Sequence, residues 1–235
     1  MKIENISIIC ANTTRTKAYL QIMLKNNIFI NKCYILTSDL EKLIERNKIS
    51  IIRKKNKKYF DESESILYTL KKYNIEYEIL NTENINDDIV LDKIKEMKEE
   101  YIIYSGFGGQ ILKSELFKYN KKFIHVHSGI LPQYRGSTTF YYSILNEKKC
   151  GATAIFLNEN IDEGNIIFEK EFDVPKENVD FDHIFDPFIR AEVLKEALKR
   201  YIKNKKFDEK PQNKKNENIY FIIHPILKYI AINSK

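Results

Sequence analysis

Short apolar runs alternate along the first half of the chain with segments in which apolar residues recur at helical spacing. Five runs predict buried strands: Ile6–Cys10, Cys33–Thr37, Glu76–Leu80, Tyr101–Ser105 and Phe123–His127. Four intervening segments predict helices: Thr14–Lys25, Asp61–Asn74 with a capping-box-like start, Asp87–Glu99 and Leu112–Tyr119. This alternation predicts a Rossmann-like α/β fold, with a mostly parallel sheet, helices on both faces and a ligand site at the carboxyl ends of the strands.

The pattern changes in the second half of the chain. A helix is predicted over Thr138–Asn146 and two strands over Ala152–Asn158 and Ile166–Val174. The strands are joined through NIDEGN, and their spacing leaves both a hairpin and a crossover open. Phe181–Lys203 is predicted to be helical with a break at Asp186-Pro187, because proline is tolerated only in the first turn or at a kink.

A polar segment containing Pro211, Phe207–Asn218, is predicted to be a linker. It divides the chain into a domain over residues 1–206 and a short C-terminal extension over residues 207–235, which ends in the apolar tail IYFIIHPILKYIAI. No internal repeat is present.

Composition narrows the class of protein. With 235 residues and 43% hydrophobic side chains, the chain is long enough to bury a sizeable core. It contains no apolar run of about eighteen residues and its N-terminus lacks a signal-peptide profile, so we expect a cytoplasmic protein without a membrane partner. Cys10, Cys33 and Cys150 have no metal-knuckle spacing and form an odd set, which predicts reduced packing residues.

The net charge of +6 is concentrated partly in two lysine-rich runs, Arg53–Lys58 and Lys203–Lys215. Such runs attract phosphates or nucleic acid, or form solvated loops and helix faces. Lysine is abundant along the whole chain and no interleaved aromatic residues accompany the runs, which favours solvated surfaces and no nucleic-acid partner.

The sequence HVH, residues 125 to 127, carries the first candidate chemistry. Side chains alternate along a strand, so His125 and His127 point to one face. Two imidazoles in this arrangement suit a metal site completed by Asp162, acid/base chemistry, or a structural pair of hydrogen-bonded histidines. Spacing alone does not choose among the three.

The stretch HVHSGILPQYRG, followed by GATAIFLNENIDEG, resembles the signature of the folate-dependent formyltransferases. In this resemblance His127 matches the catalytic histidine, and Asp162 with Gly164 matches the Asp-x-Gly of the family. Residues matching the turn that lines the folate pocket are Gly129, Ile130, Leu131 and Pro132. The upstream stretch YIIYSGFGGQIL resembles the strand and loop that hold the pterin, which implies folate contacts from Phe107, Gly109, Gln110 and Ile111, together with Ile161.

The resemblance implies transfer of a formyl group from N10-formyltetrahydrofolate to a primary amine, with no metal. His127 would stabilise the oxyanion and relay a proton while Asp162 holds its ring. His125 occupies the position of the family's asparagine, and its Nδ1-H is the expected replacement for the amide donor. Tyr134 and Arg135 are the candidate substrate-binding residues, although a tyrosine here is more often a core or cleft packing residue and the arginine would equally brace the loop.

The acceptor amine is inferred by elimination within the family. The short segment after residue 206 argues against methionyl-tRNA, and ANTTRTK after the first strand lacks the glycine-rich phosphate loop of the glycinamide ribonucleotide enzymes. A nucleotide-linked amino sugar for polysaccharide biosynthesis remains as the predicted substrate. A non-catalytic folate or nucleotide binder is the alternative, another small amine is a second, and a homodimer stays open.

Overall fold

The computed structural model describes residues 2–44, 58–213 and 218–233. Their contacts divide the chain into two compact units, Met1–His125 and Val126–Lys235. In the part of the chain that is described, no helix has the length and apolar character needed to cross a membrane.

The first unit is built on parallel strands. They are β1 (Lys2–Ile3), β2 (Ile6–Ala11), β3 (Phe29–Ile30), β4 (Lys32–Leu36), β5 (Glu76–Leu80), β6 (Tyr101–Ser105) and the start of β7 (Lys122–His127). β2 and β6 are buried along their whole length, which explains their uninterrupted apolar sequences. All five predicted strands are therefore confirmed.

The main sheet follows the order β10-β9-β7-β6-β2-β4-β5. β2 pairs in parallel with β4 and β6, and β6 pairs in parallel with β7 through residues 122–124. β7 then runs past His125 into the second unit. The predicted α/β fold with a mostly parallel sheet is confirmed.

The described residues of the first unit form four α-helices and one 3-10 helix. They are α1 (Thr14–Lys25), α2 (Leu40–Ile44), α3 (Ile66–Lys72), α4 (Asp88–Glu96) and the 3-10 helix Ser114–Tyr119. The prediction that α3 begins at Asp61 is wrong. The Asp61 carboxylate accepts from the Ser63 N–H at 3.0 Å and forms a turn, whereas the Ser65 side chain caps the helix by accepting from Tyr68 N–H.

The second unit contains strands β8 (Arg135–Gly136), β9 (Lys149–Phe156), β10 (Ile166–Asp173) and β11 (Ile219–Tyr220), with helices α5 (Thr139–Glu147), α6 (Asp186–Asn204) and α7 (Pro225–Asn233). β9 and β10 are antiparallel, so the connection left open by the sequence is a hairpin. A π-helical turn, Phe181–Phe185, precedes α6, and Pro187 lies in the first turn of that helix, as the predicted break required.

The C-terminal segment is bonded to the rest of the second unit. β11 pairs in parallel with β8, Lys210 bridges to Ile166, and the buried Phe207 ring stacks on Tyr201. In the two lysine-rich runs, residues 53–57 and 214–215 lie outside the described residues. The described lysines of those runs, Lys58, Lys203, Lys205, Lys206 and Lys210, are exposed. All three cysteines are free and buried, as predicted.

Candidate active site

His127 is the last residue of β7, and both of its ring nitrogens face hydrogen-bonding partners. Nδ1 lies 3.3 Å from Oδ1 of Asp162, and the two side chains are only 6% and 11% exposed. Nε2 lies 2.7 Å from the carbonyl oxygen of Tyr134 and 3.2 Å from the Thr139 hydroxyl. Because a carbonyl only accepts, Nε2 carries a proton in this arrangement. Nδ1 donates to Asp162 when the ring is doubly protonated.

Thr139 strengthens this assignment of the proton. Its hydroxyl hydrogen is donated to the carbonyl oxygen of Ser128, so the oxygen is left to accept from Nε2 of His127. The imidazole ring is consequently held between a carboxylate on one side and two oxygen acceptors on the other.

Asp162 lies in the loop between β9 and β10. Its backbone adopts a left-handed conformation with φ of +55°, which aspartate tolerates better than most residues. Oδ1 faces His127, while Oδ2 accepts from the Gly136 N–H at 3.0 Å. The two carboxylate oxygens therefore have separate, directed contacts, and the position of Asp162 relative to the ring is determined on both sides.

The loop after His127 is tightly closed on itself. The Thr153 hydroxyl donates to the Gly129 carbonyl at 2.7 Å and accepts from the Leu131 N–H at 3.1 Å. A Cβ atom on Gly129 would lie 2.9 Å from Cβ of Tyr134, so only glycine permits this close approach. Leu131-Pro132 is a cis peptide. The side chain of Ile130 packs against Gly151. Because Thr153 bonds to both Gly129 and Leu131, the four residues predicted to line the folate pocket, 129 to 132, lie in one compact turn.

A second set of bonds holds the end of β7 from the side of α6. Arg190 donates to the Val126 carbonyl at 3.2 Å and to Asp186 at 3.1 Å. Asp186 also accepts from the Ser128 hydroxyl. The residues immediately before and after His127 are thus tied to the first turns of one helix.

Tyr134 and Arg135 are both buried, with 3% of each residue exposed. The Tyr134 ring stacks on Tyr220 with centroids 5.4 Å apart, and burial raises the pKa of Tyr134 to about 12. The Arg135 guanidinium contacts the Glu163 carboxylate at 3.5 Å and donates to the side-chain amide oxygen of Gln212 at 3.1 Å. These contacts brace two loops, and a direct role of either residue in substrate binding stays a prediction.

The predicted pterin residues of the first unit lie in the loop after β6. The Gln110 side chain donates to the Glu83 carbonyl at 2.6 Å and accepts from the Tyr104 hydroxyl at 3.3 Å. Phe107 is half-buried, and Gly109 has a φ of +80°. The space where Cβ atoms would stand on Gly108 and Gly109 is open, and Ile111 is exposed. The loop therefore presents accessible backbone and one apolar side chain.

His125 and Ile161 are the remaining predicted site residues, and both are partly or fully exposed. His125 is half-buried, and its ring centroid is 6.5 Å from that of Tyr104, whose pKa burial raises to about 12. Ile161, which precedes Asp162, is 59% exposed. Among the described residues, no group of three or more His, Cys, Asp or Glu side chains is placed to hold a metal ion.

Sequence reasoning missed three residues that hold the His127–Asp162 pair. Thr153 is a polar residue inside the apolar sequence of β9, and that exception was the available signal. Thr139 follows the motif closely but carries no distinguishing pattern. Gln212 lies in a polar segment without periodicity, and nothing in its local sequence predicts its contacts.

Comparison with protein families assigns this architecture. Residues 6–193 match the family model described as Formyl transferase, which is well over half of the chain. The chain belongs to the formyl transferase family. The matched region contains His127, Asp162 and the loop after β6.

Relatives in this family differ in the acceptor that their names indicate. Methionyl-tRNA formyltransferase of Finegoldia magna is 26% identical over 162 residues, which are 67% of this chain and 51% of that protein. Methionyl-tRNA formyltransferase of Clostridioides difficile is 36% identical over 117 residues, 48% of this chain and 37% of that protein. The chain thus spans about half the length, or less, of these relatives.

A solved structure has a similar fold. The N-formyltransferase of Helicobacter canadensis, in complex with folinic acid and dTDP-3-aminofucose, has a TM-score of 0.58 at 22% identity and covers 93% of this chain and 71% of that one. At this level of identity the likeness concerns the fold alone.

Proposed function

We propose that this chain transfers the formyl group of N10-formyltetrahydrofolate to the primary amine of a nucleotide-linked amino sugar. The observation that carries the proposal is the buried contact between His127 and Asp162, 3.3 Å apart at the carboxyl end of β7, in a member of the formyl transferase family. A buried carboxylate facing an imidazole holds the ring and stabilises its charged form during proton transfer.

The reaction assigned to these residues has two bond changes. The amine nitrogen attacks the formyl carbon, and the tetrahedral oxyanion that results then expels N10 of the folate as the C–N10 bond breaks. The Nε2–H of His127 is the proposed donor to this oxyanion, in exchange for its bonds to the Tyr134 carbonyl and the Thr139 hydroxyl, because Nδ1 faces Asp162. The doubly protonated ring stabilises the oxyanion and gives its Nε2 proton to N10 as the C–N10 bond breaks, and Nε2 then accepts the proton lost by the amine.

His125 is proposed as the second donor to the oxyanion. The resemblance puts asparagine at this position, and the Nδ1 of histidine is the same number of bonds from Cα as the amide nitrogen that it replaces. An Nδ1–H tautomer or an imidazolium would supply the N–H, whereas the opposite neutral tautomer would not.

The loop after β6 is proposed to contact the folate. Its open glycines leave room for a flat ring to approach the backbone, and the exposed Ile111 offers an apolar contact. Gly109, Gln110 and Phe107 are assigned to the same surface. In the second unit, the exposed Ile161 and the compact turn at 129–132 are assigned to folate binding as well.

The proposed identity of the acceptor comes from the relatives of this chain. A nucleotide-linked amino sugar is favoured because a structural neighbour was solved with dTDP-3-aminofucose, as its description states. Methionyl-tRNA is the second candidate, since the curated relatives with detectable sequence identity carry that name. The two acceptors differ greatly in size and charge, so one experiment separates them.

The test is an assay of the purified chain with N10-formyltetrahydrofolate and three acceptors: a dTDP-linked amino sugar, methionyl-tRNA and glycinamide ribonucleotide. Release of tetrahydrofolate is followed by absorbance, and the formylated product by mass spectrometry. We expect turnover that depends on the amino sugar. Turnover with methionyl-tRNA alone would replace the acceptor, and folate binding without turnover of any amine would favour a non-catalytic binder.

A further inference from the structure

The segment after α6 lies beyond the residues that match the family model, 6–193, yet it contacts the loop that carries Asp162. It comprises residues 207–223, of which 214–217 are outside the described residues. Gln212 and strand β11 are the parts of this segment that bond to the loops around Asp162 and Gly136. Both belong to the second unit, together with His127 and Asp162.

Both N–H donors and the oxygen of the Gln212 side-chain amide form hydrogen bonds. Its nitrogen donates to the carbonyl oxygens of Asp162 at 2.7 Å and Gly164 at 2.8 Å. Its oxygen accepts from Arg135 at 3.1 Å. The side chain therefore joins the backbone of the Asp162 loop to the arginine of the loop that follows His127.

The backbone at Asp162 is a place where such support matters. A φ of +55° is uncommon for a residue with a Cβ atom, so the surrounding bonds must hold it. At Gly164, a Cβ atom would lie 1.5 Å from the Phe156 carbonyl oxygen, so only glycine leaves room for this close approach of two backbone segments. The Gln212 amide binds the carbonyl groups of both residues.

Strand β11 holds the other side of the same carboxylate. The backbone N–H of Arg135 donates to the carbonyl oxygen of Asn218 at 3.0 Å, and the backbone N–H of Ser137 donates to the carbonyl oxygen of Tyr220 at 2.8 Å. Gly136, between them, donates its own N–H to Oδ2 of Asp162. A Cβ atom on Gly136 would lie 2.2 Å from the backbone carbonyl oxygen of Tyr220, so β11 lies directly against the backbone of Gly136.

From these contacts we propose that Gln212 is a positioning residue for Asp162, and through Asp162 for the ring of His127. Gln212 and strand β11 are then part of the catalytic unit, and the described residues of the predicted linker, 207–213 and 218, contribute to the site. This inference rests on the proposed formyl transfer, in which the ring of His127 carries the proton and Asp162 holds that ring.

The decisive variants are Gln212→Glu and Gln212→Met, which keep the length of the side chain. The glutamate can still accept from Arg135 but cannot donate to two carbonyl groups, and the methionine can do neither. Lys206→Ala is the control, because Lys206 is exposed immediately before this segment and lies outside the proposed site. Circular dichroism verifies that each variant is folded.

Two readouts are compared. With the acceptor found in the assay above, we expect kcat to fall about tenfold to a hundredfold in both variants while KM for the folate stays within about twofold, since misplacement affects the transition state most. Without any substrate, we expect the ¹⁵N resonances of the His127 ring to shift in both variants and to stay unchanged in Lys206→Ala.

The ring resonances make the two proposals separable. If the wild-type chain turns over no amine, the proposed function fails, and the resonances still decide whether Gln212 positions His127. Folded variants with wild-type resonances overturn the inference, as does a wild-type kcat in both variants of an active enzyme. A glutamate variant that behaves like wild type while the methionine variant does not would assign the role to the Arg135 bond.

Discussion

The two loops that follow β6 and β7 differ in how firmly they are held. In the first unit, Ile111 is 59% exposed and the positions beside Gly108 and Gly109 are open. In the second unit, Leu131 is 3% exposed and the glycine at 129 has no room for a methyl group. One loop offers accessible surface, whereas Gly129, Leu131 and Tyr134 of the other are buried.

This difference corresponds to the demands of the two proposed tasks. A surface that contacts a large flat ligand must be accessible before the ligand arrives. Groups that move a proton must already be oriented, because each misdirected bond costs rate in the transition state. We therefore expect substitutions in the tight loop to lower kcat and those in the open loop to change KM.

The largest effect is expected from His127→Ala. Loss of an oriented acid/base group and oxyanion donor should lower turnover by on the order of a thousandfold or more. The fold should remain, since the ring is held by bonds at the end of a strand and contributes little to the apolar core. Steady-state assays and circular dichroism measure both; activity within tenfold of wild type would contradict the role.

Asp162→Asn should lower kcat by roughly several hundredfold, because the ring of His127 loses its charged partner. Asparagine tolerates the left-handed backbone and keeps an oxygen to accept from Gly136, so the geometry is retained and only the charge is removed. Asp162→Ala serves as the comparison. If Asn and wild type have equal kcat values, the carboxylate acts only as a scaffold.

His125→Ala should cost on the order of a hundredfold in kcat, the usual effect of removing one oxyanion donor. His125→Asn should keep substantial activity, because the amide restores an N–H at nearly the same place. The pH-rate profile of the Asn variant shows whether the imidazolium is the working form. Equal inactivity of both variants would assign His125 to proton transfer instead.

A smaller change is expected in the open loop. Ile111→Ser should raise KM for N10-formyltetrahydrofolate about fivefold and leave kcat unchanged, since one exposed apolar contact is lost. Ile89→Ser is the matched control, because Ile89 is also exposed in the first unit but lies on α4. A fall in kcat without a change in KM would remove the contrast between the two loops.

The smallest effect concerns α7, outside both loops. Burial alone would raise the pKa of Asp182, but hydrogen bonds from Lys228 at 2.5 Å and Tyr141 at 2.6 Å outweigh it and lower the pKa below its ordinary 3.8. Because this pKa is lower in the folded protein than in the unfolded chain, the ionised Asp182 carboxylate stabilises the fold. The stabilisation is complete above pH 3.8 and is lost as the pH falls through the pKa of Asp182 in the folded protein.

Asp182→Asn should therefore lower Tm by about 2 °C at neutral pH, and the difference from wild type should disappear in strong acid. Asp92→Asn, which removes an exposed ion pair with Lys95, should leave Tm unchanged at either pH. Thermal melts of the three proteins between pH 2 and pH 7 measure this. A Tm difference that grows toward low pH would reverse the sign of the argument.

The strands and most helices follow from local properties of the chain. Alternating apolar runs and helical spacing predicted β2, β6 and β7, because burial in a parallel sheet requires continuous apolar sequence. The resemblance around HVHSGILPQYRG led to the formyl transferase family without any knowledge of tertiary contacts. The start of α3 was misplaced because a turn at Asp61 and a cap at Ser65 have similar sequences. In addition, α4 ends at Glu96 rather than Glu99, and the short strands β8 and β11 were not predicted.

The support of the candidate site was decided by the tertiary structure. Gln212 is fifty residues from Asp162, and Tyr220 is more than eighty residues from the peptide of Gly136 that it packs against. Hydrogen bonds over such separations leave no periodicity in the sequence, because a polar side chain in a loop has the same local pattern whether it faces solvent or another loop. The chain's own pattern determined where His127 lies on a strand, and folding alone determined what holds it there.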